Sequence, residues 1–265
     1  MDQPVPSSHY PLALVTGTSS GIGEALAREL LRRGWRVVGV ARRAPAIAEA
    51  RYTHLQLDLR NLTTLASSLD TQLLSLVSDP AVTRLGLVNN AAMDGILGPI
   101  SRLNAAAMLE VYAVNTAAPV LFMGWFQRHA RPGQPLRVVN VSSGAAVAPF
   151  PGCGGYGTTK AALRMAGMIL AAELDAAGSL ASSQPDTSIL SFEPGLVDTP
   201  MQAIARTSSV DILPIVQMFK DFAAAGALVP PALPAQAIAD YLGADGHQRW
   251  EEQRFTPSPR GEPAA

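Results

Sequence analysis

The chain has 265 residues, of which 48% are hydrophobic and 15% are charged, and its formal net charge is −1. This length and composition fit one large domain with a sizeable core, and the near-neutral charge excludes the basic surface typical of nucleic-acid-binding proteins. The single cysteine, Cys153, excludes an internal disulfide and a cysteine metal cluster, and we expect no metal site.

The N-terminal residues are polar and include prolines, so they lack the basic and apolar regions of a signal peptide. No run of about 18 apolar residues without charges predicts a membrane span. A lone cysteine is compatible with a reducing compartment. We therefore expect a cytoplasmic protein that binds neither nucleic acid nor membrane.

Short apolar runs alternate with helical patterns along the chain. The predicted strands cover 12–17, 35–41, 52–59, 84–92, 135–143 and 187–195, and the predicted helices cover 21–33, 62–78, 102–130, 156–177 and, with proline interruptions, 199–243. This alternation predicts an α/β fold, a Rossmann-type doubly wound parallel sheet in a single domain. We expect that domain over 11–255, an extended or disordered segment at 1–10 and a flexible tail at 256–265.

A glycine-rich turn, TGTSSGIG at 16–23, joins the first predicted strand to the first helix. Such a turn lets backbone N–H groups approach a pyrophosphate at a helix N-terminus, although its spacing differs from G-x-G-x-x-G. A tight turn without a ligand is the alternative, but the place after the first strand favours a dinucleotide. The residues expected to bind it are Gly17, Ser19, Ser20, Gly21, Ile22 and Gly23.

Two arginines, Arg42 and Arg43, follow the second predicted strand, where NAD-binding sites usually carry an acidic residue. Planar guanidinium groups suit a 2′-phosphate, so the pair favours NADP(H); a solvated arginine pair is the alternative. Asp58, with Leu59 beside it, ends the third predicted strand. We expect Asp58 either to hydrogen-bond the adenine amino group or to cap a helix.

Tyr156 and Lys160 lie four residues apart at the start of a predicted helix, and Ser143 ends the strand before it. A parallel sheet brings that strand end and that helix start to the same crevice. A nearby ammonium favours the ionised form of a phenol, and a serine hydroxyl can hydrogen-bond a carbonyl oxygen. Each residue alone has an ordinary structural explanation, but together they predict reduction of a carbonyl group.

These motifs resemble those of the classical short-chain dehydrogenase/reductase family, from Leu12 to about Leu242. Within it, segments 148–165 and 193–211 are most similar to sepiapterin reductases and benzil reductases. The resemblance implies that Asn115, in AVNT, is a fourth catalytic residue; a mid-helix polar group bonded to the backbone is the alternative. It also implies these cofactor contacts: Asn90, Ala91, Ala92 (where glycine is usual), Tyr156, Lys160, Pro194, Gly195, Val197 and Thr199.

The substrate pocket is expected between Ser143 and Tyr156 and after Pro194. The candidate lining residues are Phe150, Cys153, Met201 and Met93. Their apolar character favours an aromatic ketone, diketone or aldehyde, although each is also typical of ordinary core packing. Sepiapterin reductases bind the pterin through an acidic residue near the C-terminus; the corresponding stretch 246–255 contains no aspartate, only Glu251 and Glu252.

The sequence therefore predicts NADPH-dependent reduction of a carbonyl to an alcohol with Tyr156 as general acid. A non-catalytic NADP-sensing protein on the same fold is the alternative, because a fold does not fix a function. The family resemblance also implies a homodimer, or a tetramer, through the helices at 102–130 and 156–177. The second of these helices is rich in small and apolar residues around its circumference, which fits burial on two sides.

Overall fold

A computed structural model of the protein describes residues 9–93, 97–177 and 183–257. Most of the predicted N-terminal segment 1–10 and most of the predicted tail 256–265 lie outside the described residues. Gly178, the residue after the predicted helix at 156–177, lies outside them as well.

Seven parallel strands form a single sheet. They are β1 (Tyr10–Thr16), β2 (Arg36–Ala41), β3 (Tyr52–Gln56), β4 (Val82–Asn89), β5 (Pro135–Val141), β6 (Asp186–Glu193) and β7 (Trp250–Arg254). Their spatial order is β3-β2-β1-β4-β5-β6-β7, and every neighbouring pair is parallel. The order reverses between β1 and β4, which opens a crevice at the carboxyl ends of these strands. The predicted Rossmann-type sheet in one domain is confirmed.

Nine helices connect the strands within the described part of the chain. They are α1 (Gly21–Arg32), α2 (Leu62–Ser68), α3 (Leu74–Val77), α4 (Ala105–Tyr112), α5 (Ala118–His129), α6 (Gly154–Ala176), α7 (Pro200–Thr207), α8 (Val216–Ala224) and α9 (Ala232–Gly243). Two π-helical turns, Leu69–Leu73 and Ala113–Ala117, join α2 to α3 and α4 to α5. The two long helices predicted at 62–78 and 102–130 are therefore each interrupted by a wider turn.

Apolar cores lie on both faces of the sheet. Leu12 and Leu14 of β1 belong to the core under α5 and α6, whereas the alternate residues Ala13 and Val15 belong to the core under α1 and α9. Side chains alternate between the two faces of a strand, so a strand covered on both sides must be apolar throughout. This is why β1 is a continuous apolar run in the sequence.

The strand β7 was not predicted from the sequence, because no helix or strand was assigned to residues 246–255. Its sequence, WEEQR, is mostly polar, and its last three residues are exposed. An edge strand with one neighbour lacks the buried apolar run that marks the central strands. The register Ile189↔Trp250 places β7 beside β6 and brings the C-terminal part of the chain to the sheet.

One helical stretch among the described residues, Ala105–His129, has the length and the mean hydropathy, 1.4, of a membrane span. Core helices of α/β domains can share these properties. Phe122 and Phe126 of this stretch are buried in the core against the sheet.

Candidate active site

The glycine-rich turn between β1 and α1 forms one wall of the crevice. Gly17 and Gly21 have positive φ angles of 78° and 59°. A Cβ atom on Gly23 would lie 2.3 Å from the carbonyl oxygen of Gly17 and 2.5 Å from Nδ2 of Asn90. Only glycine fits these positions, because the turn is tight and the chain packs directly on it.

The other residues predicted in this turn separate into two groups. Ser19 and Ser20 are half-buried on the turn itself, and Ser20 precedes α1 without a side-chain capping hydrogen bond. The Ser20 side chain therefore does not occupy the N–H groups of the first helical turn, and such groups suit an anion. The side chain of Ile22 is buried in the core under α1.

The end of β4 packs against the glycine-rich turn. Thr16 Oγ1 accepts hydrogen bonds from the backbone N–H groups of Asn90 (3.0 Å) and Ala91 (2.9 Å). The Asn90 side chain donates to the carbonyl oxygen of Thr16 at 2.8 Å. Ala92 follows Ala91 and is half-buried. The structure therefore brings Asn90 and Ala91 together with the turn as predicted.

The far end of the crevice carries the arginine pair. Arg42 and Arg43 are exposed after β2. Hydrogen bonds from Arg60 lower the pKa of Asp58, and the charge of Arg42 acts in the same direction, so Asp58 lies near Arg42. The Asp58 carboxylate accepts a 2.6 Å hydrogen bond from Nη2 of Arg60.

The helix-cap explanation of Asp58 is wrong. The N-cap of α2 is Asn61, whose side chain accepts a hydrogen bond from the N–H group of Thr64 at 3.0 Å. The carboxylate of Asp58 instead accepts from the backbone and side chain of Arg60. The side chain of Leu59 is buried in the apolar core.

Lys160, the cation of the predicted catalytic set, is buried, with 2% of its surface exposed. Its Nζ donates a 2.7 Å hydrogen bond to the carbonyl oxygen of Val141 and lies 5.7 Å from the centre of the Tyr156 ring. Burial lowers the pKa of Lys160 to about 8. Both residues start α6, one helical turn apart, so they share a face.

Ser143 follows β5 in an extended conformation, with φ −159°. Its Oγ accepts a 3.2 Å hydrogen bond from the backbone N–H of Ala145 and so caps the short 3₁₀ turn Gly144–Ala146. This turn contacts α6, which carries Tyr156. Ser143 thus caps a turn and also lies just after the strand end that faces the crevice.

Asn115 is fully buried within the π-helical turn between α4 and α5. Its Oδ1 accepts from the backbone N–H of Met93 at 2.8 Å, and its Nδ2 donates to the Met93 carbonyl at 2.9 Å and to Thr159 Oγ1 at 3.1 Å. Thr159 in turn donates to the carbonyl oxygen of Tyr156 at 2.7 Å. Asn115 therefore joins the loop after β4 to the helix that carries Tyr156 and Lys160, and does not bond its own helix through these contacts.

The segment after β6 lies against the glycine-rich turn. Gly195 has a φ angle of 71° and follows Pro194 directly. Val197 is buried and forms an isolated parallel bridge with Val229. Thr199 Cγ2 lies 3.4 Å from the position of a Cβ atom on Gly21, so this segment contacts the glycine-rich turn.

The predicted substrate residues do not form one group. Phe150 and Cys153 belong to a small apolar cluster with Leu213, while Met93 packs on the core under α5, beside Asn115. Met201 is half-buried on α7. Burial raises the pKa of the Cys153 thiol, which makes the thiolate scarce and disfavours a nucleophilic role.

The two C-terminal glutamates are engaged by neighbouring side chains. Arg164 of α6 donates to Glu252 at 2.9 Å, and Glu251 accepts from the backbone N–H of Gln248 at 2.8 Å. Neither contact involves the cluster of Phe150 and Cys153. These carboxylates support β7 and its packing on α6.

Two partners of the predicted site were missed in the sequence. Thr159 bonds Asn115, and its position in the TTK triplet before Lys160 is the only available signal. The carbonyl oxygen of Val141 accepts a hydrogen bond from Lys160 Nζ. A backbone atom has no residue-specific signal in a sequence, so this contact depends on the fold.

Residues 11–209 match the short chain dehydrogenase family. The protein belongs to this family. This short-chain dehydrogenase is 32% identical to a benzil reductase ((S)-benzoin forming) of Bacillus subtilis over 235 residues, which cover 87% of this chain and 93% of that protein. It is 33% identical to the sepiapterin reductase of Rattus norvegicus, with 76% of this chain and 79% of that protein covered.

Solved structures have the same fold. The KRED1-Pglu enzyme superimposes with a TM-score of 0.77 at 25% identity, with 91% of this chain and 100% of that chain covered. A short chain dehydrogenase from Burkholderia cenocepacia in complex with NADP has a TM-score of 0.72 at 22% identity, with 94% and 97% covered. This short-chain dehydrogenase is therefore an oxidoreductase of a family that binds a nicotinamide cofactor and acts on small molecules.

Proposed function

We propose that this short-chain dehydrogenase reduces a carbonyl group of a small molecule to an alcohol with NADPH. The observation that carries the proposal is the buried Lys160, whose Nζ lies between the carbonyl of Val141 and the ring of Tyr156. A buried cation next to a phenol, close to the end of β5 that Ser143 follows, is an arrangement for moving a proton.

The residues of the crevice fit a dinucleotide. Gly23 lets the start of α1 pack directly on the carbonyl oxygen of Gly17 and on Asn90, which makes the turn tight. The first turn of α1 has no side-chain cap from Ser20, so its N–H groups are available to a pyrophosphate. Arg42 and Arg43 are assigned to a 2′-phosphate, and Asp58 and Leu59 to the adenine side. Against NAD, the end of β2 offers no carboxylate for ribose hydroxyls.

The remaining cofactor contacts complete this assignment. The strand-end residues Asn90, Ala91 and Ala92 are assigned to the adenosine half. The backbone of Pro194, Gly195 and Val197 and the hydroxyl of Thr199 are assigned to the nicotinamide half, because Thr199 lies against Gly21 of the glycine-rich turn. When bound, NADPH supplies a hydride to the carbonyl carbon.

The protein's own residues handle the oxygen of the substrate. Ser143 Oγ and the Tyr156 hydroxyl each donate a hydrogen bond to the carbonyl oxygen, and Tyr156 then transfers its proton to that oxygen. The positive charge of Lys160 stabilises the phenolate that this transfer leaves behind. Asn115 fixes α6 through Thr159 and is assigned to the relay that returns a proton to the site.

We propose an aromatic ketone or 1,2-diketone as the substrate class, ahead of aldehydes and of pterins. The support is the 32% identity to the benzil reductase of Bacillus subtilis over most of the chain and the apolar cluster of Phe150 and Cys153. Met201 and Met93 are assigned to the pocket margins. A pterin is less favoured, because Glu251 already accepts a hydrogen bond from Gln248 before β7 and Glu252 from Arg164 of α6.

The direct test is oxidation of NADPH in the presence of benzil, with NADH in a parallel reaction. We expect turnover with NADPH and a clear preference over NADH. A protein that binds NADPH but reduces neither benzil nor a panel of aromatic ketones and aldehydes would instead be the NADP-sensing alternative. The complete set of Ser143, Tyr156, Lys160 and Asn115 favours the enzyme, because a sensor needs no proton donor.

We further propose a cytoplasmic homodimer whose residues 11–255 form one domain. Large apolar side chains are exposed along the helices that the family resemblance places at the interface, notably Leu109 of α4 and Met165 and Ile169 of α6. Met165 and Ile169 are one turn apart, and each is 50% exposed. A contiguous apolar strip of this kind is typical of a protein–protein interface; a tetramer is the alternative assembly.

A further inference from the structure

The inward side of α7 carries two polar side chains one helical turn apart. Ala205 of this helix packs in the apolar cluster with Cys153 and Leu213, which defines the side that faces the protein. Gln202 and Arg206 flank Ala205 on this side and are half-buried, whereas the outward residues of α7 are exposed. The helix begins directly after Thr199, which contacts the glycine-rich turn.

Both side chains end in a buried atom without a hydrogen-bond partner. Gln202 Oε1 and Arg206 Nη1 are inaccessible to solvent and make no hydrogen bond to the described residues. The buried Arg137 shows the usual situation: its guanidinium donates to the carboxylate of Asp186 at 2.8 Å and to that residue's carbonyl at 2.6 Å. Buried polar atoms are almost always paired, so the exception on α7 needs an explanation.

A bond between Gln202 and Arg206 is available, because residues four apart on a helix are neighbours. An amide oxygen and a guanidinium N–H are complementary, yet Gln202 Oε1 and Arg206 Nη1 remain unpaired in this structure. Arg206 is half-buried, and its Nη1 is buried without a hydrogen-bond partner among the described residues. A guanidinium with such a donor can bind an oxyanion, for which its planar geometry is suited. The helix that carries Gln202 and Arg206 starts beside the glycine-rich turn, through Thr199, and packs on the Cys153 cluster, through Ala205.

We infer that Arg206, supported by Gln202, is an oxyanion-binding subsite in the wall of the crevice. The ligand group is a phosphoryl group of the nucleotide or a carboxylate of the carbonyl substrate. The guanidinium would donate to the oxyanion, and the Gln202 amide would hold the ligand or the arginine in place. The carboxylate source rests on the proposed function, whereas the phosphoryl source requires only nucleotide binding.

The test compares Arg206→Gln and Arg206→Lys with Lys220→Gln. Lys220 is exposed on α8 and serves as the matched loss of one positive charge. Two measurements separate the sources: the Kd of NADPH by fluorescence titration, and the Kd values of 4-acetylbenzoate and its methyl ester for the NADP⁺-bound protein by calorimetry. The acid and the ester share one ketone and differ only in the carboxylate.

We expect Arg206→Gln to weaken at least one anionic ligand tenfold or more, Arg206→Lys to retain part of the affinity, and Lys220→Gln to stay within twofold of the wild type. Loss of NADPH affinity identifies the phosphoryl group, and loss for the acid but not the ester identifies a substrate carboxylate. The inference is overturned if Arg206→Gln leaves the Kd values of NADPH and of the acid within twofold of the wild type. It is also overturned if the variant leaves the Kd of NADPH unchanged and raises the Kd values of the acid and the ester equally. Because binding is measured without turnover, absence of benzil reduction would count against the proposed function alone.

Discussion

The hydroxyl of Tyr52, on edge strand β3, lies 2.9 Å from the hydroxyl of Thr18 in the glycine-rich turn. Tyr52 reaches the turn across Gly39 of β2, where a Cβ atom would lie 2.0 Å from the tyrosine oxygen. Thr18 is completely buried, and burial raises the pKa of Tyr52. A side chain two strands away therefore supports the turn to which we assign the pyrophosphate.

Removing this hydroxyl should loosen the turn. In Tyr52→Phe, Thr18 loses its buried partner, which costs about 1 kcal/mol and corresponds to roughly a fivefold rise in the Kd of NADPH. We expect kcat to stay near the wild-type value, because Tyr52 is remote from the reacting oxygen. Fluorescence titration and steady-state kinetics measure the two effects; an unchanged Kd would show that the hydrogen bond does not support cofactor binding.

The choice between NADPH and NADH should depend on the arginines after β2. A double variant, Arg42→Ala with Arg43→Ala, removes both guanidinium groups assigned to the 2′-phosphate. Charge-assisted hydrogen bonds contribute roughly 1.5–3 kcal/mol each, so the Kd of NADPH should rise at least about tenfold while that of NADH changes little.

The control for this variant is Arg128→Ala, which removes an exposed guanidinium from α5. Its Kd for NADPH should match that of the wild type. Equal weakening of NADPH and NADH by the double variant would show that the arginines hold the structure of the loop and do not select the phosphate.

Lys160 should give the protein a characteristic pH dependence of stability. Its pKa is lowered by burial from 10.5 to about 8 in the folded protein. Between these values the unfolded chain binds a proton that the folded protein has released, so the free energy of unfolding rises with pH across this window and falls as pH drops through 8. The shift corresponds to at most about 3 kcal/mol.

The comparison is with Lys160→Met, which cannot titrate at this position. Urea unfolding of the cofactor-free proteins should be measured at pH 7.5, 8.5 and 9.5. We expect the free energy of unfolding of the wild type, relative to that of the variant, to rise with pH. If the two stability curves run parallel over this range, Lys160 has an ordinary pKa and the proposed role of its burial is wrong.

Parts of the fold and site that depend on local sequence were predictable. The central strands are apolar throughout because both faces are covered, and Tyr156 and Lys160 have the four-residue spacing that a helix translates directly into one face. The doubly wound parallel sheet followed from the alternation of strands with helices. Nothing more than neighbouring residues was needed for these predictions.

Features that depend on distant contacts were not predictable. Trp250 packs against Gly167 of α6, where a Cβ atom would lie 2.6 Å from its ring, and this contact explains why a polar edge segment becomes β7. The role of Asp58 depended on whether Asn61 or Asp58 capped α2, and both residue types are good caps. The unpaired Arg206 gave no signal, because only burial distinguishes it from a solvated arginine.

The apolar strip on α6 predicts the oligomeric state. We expect the protein to sediment as a dimer, and Ile169→Lys, which places a charge in a desolvated contact, to shift it toward monomer. Leu233→Lys is the matched control, because Leu233 is exposed on α9, outside the strip. A wild-type protein that sediments as a monomer at micromolar concentration would exclude this interface.

The most direct test of the proposed chemistry is Tyr156→Phe, which removes one hydroxyl and leaves the ring. We predict that the variant binds NADPH within about twofold of the wild type but reduces benzil at least about a hundredfold more slowly, since a positioned general acid contributes factors of this size. Reduction of benzil by Tyr156→Phe at the wild-type rate would contradict the account.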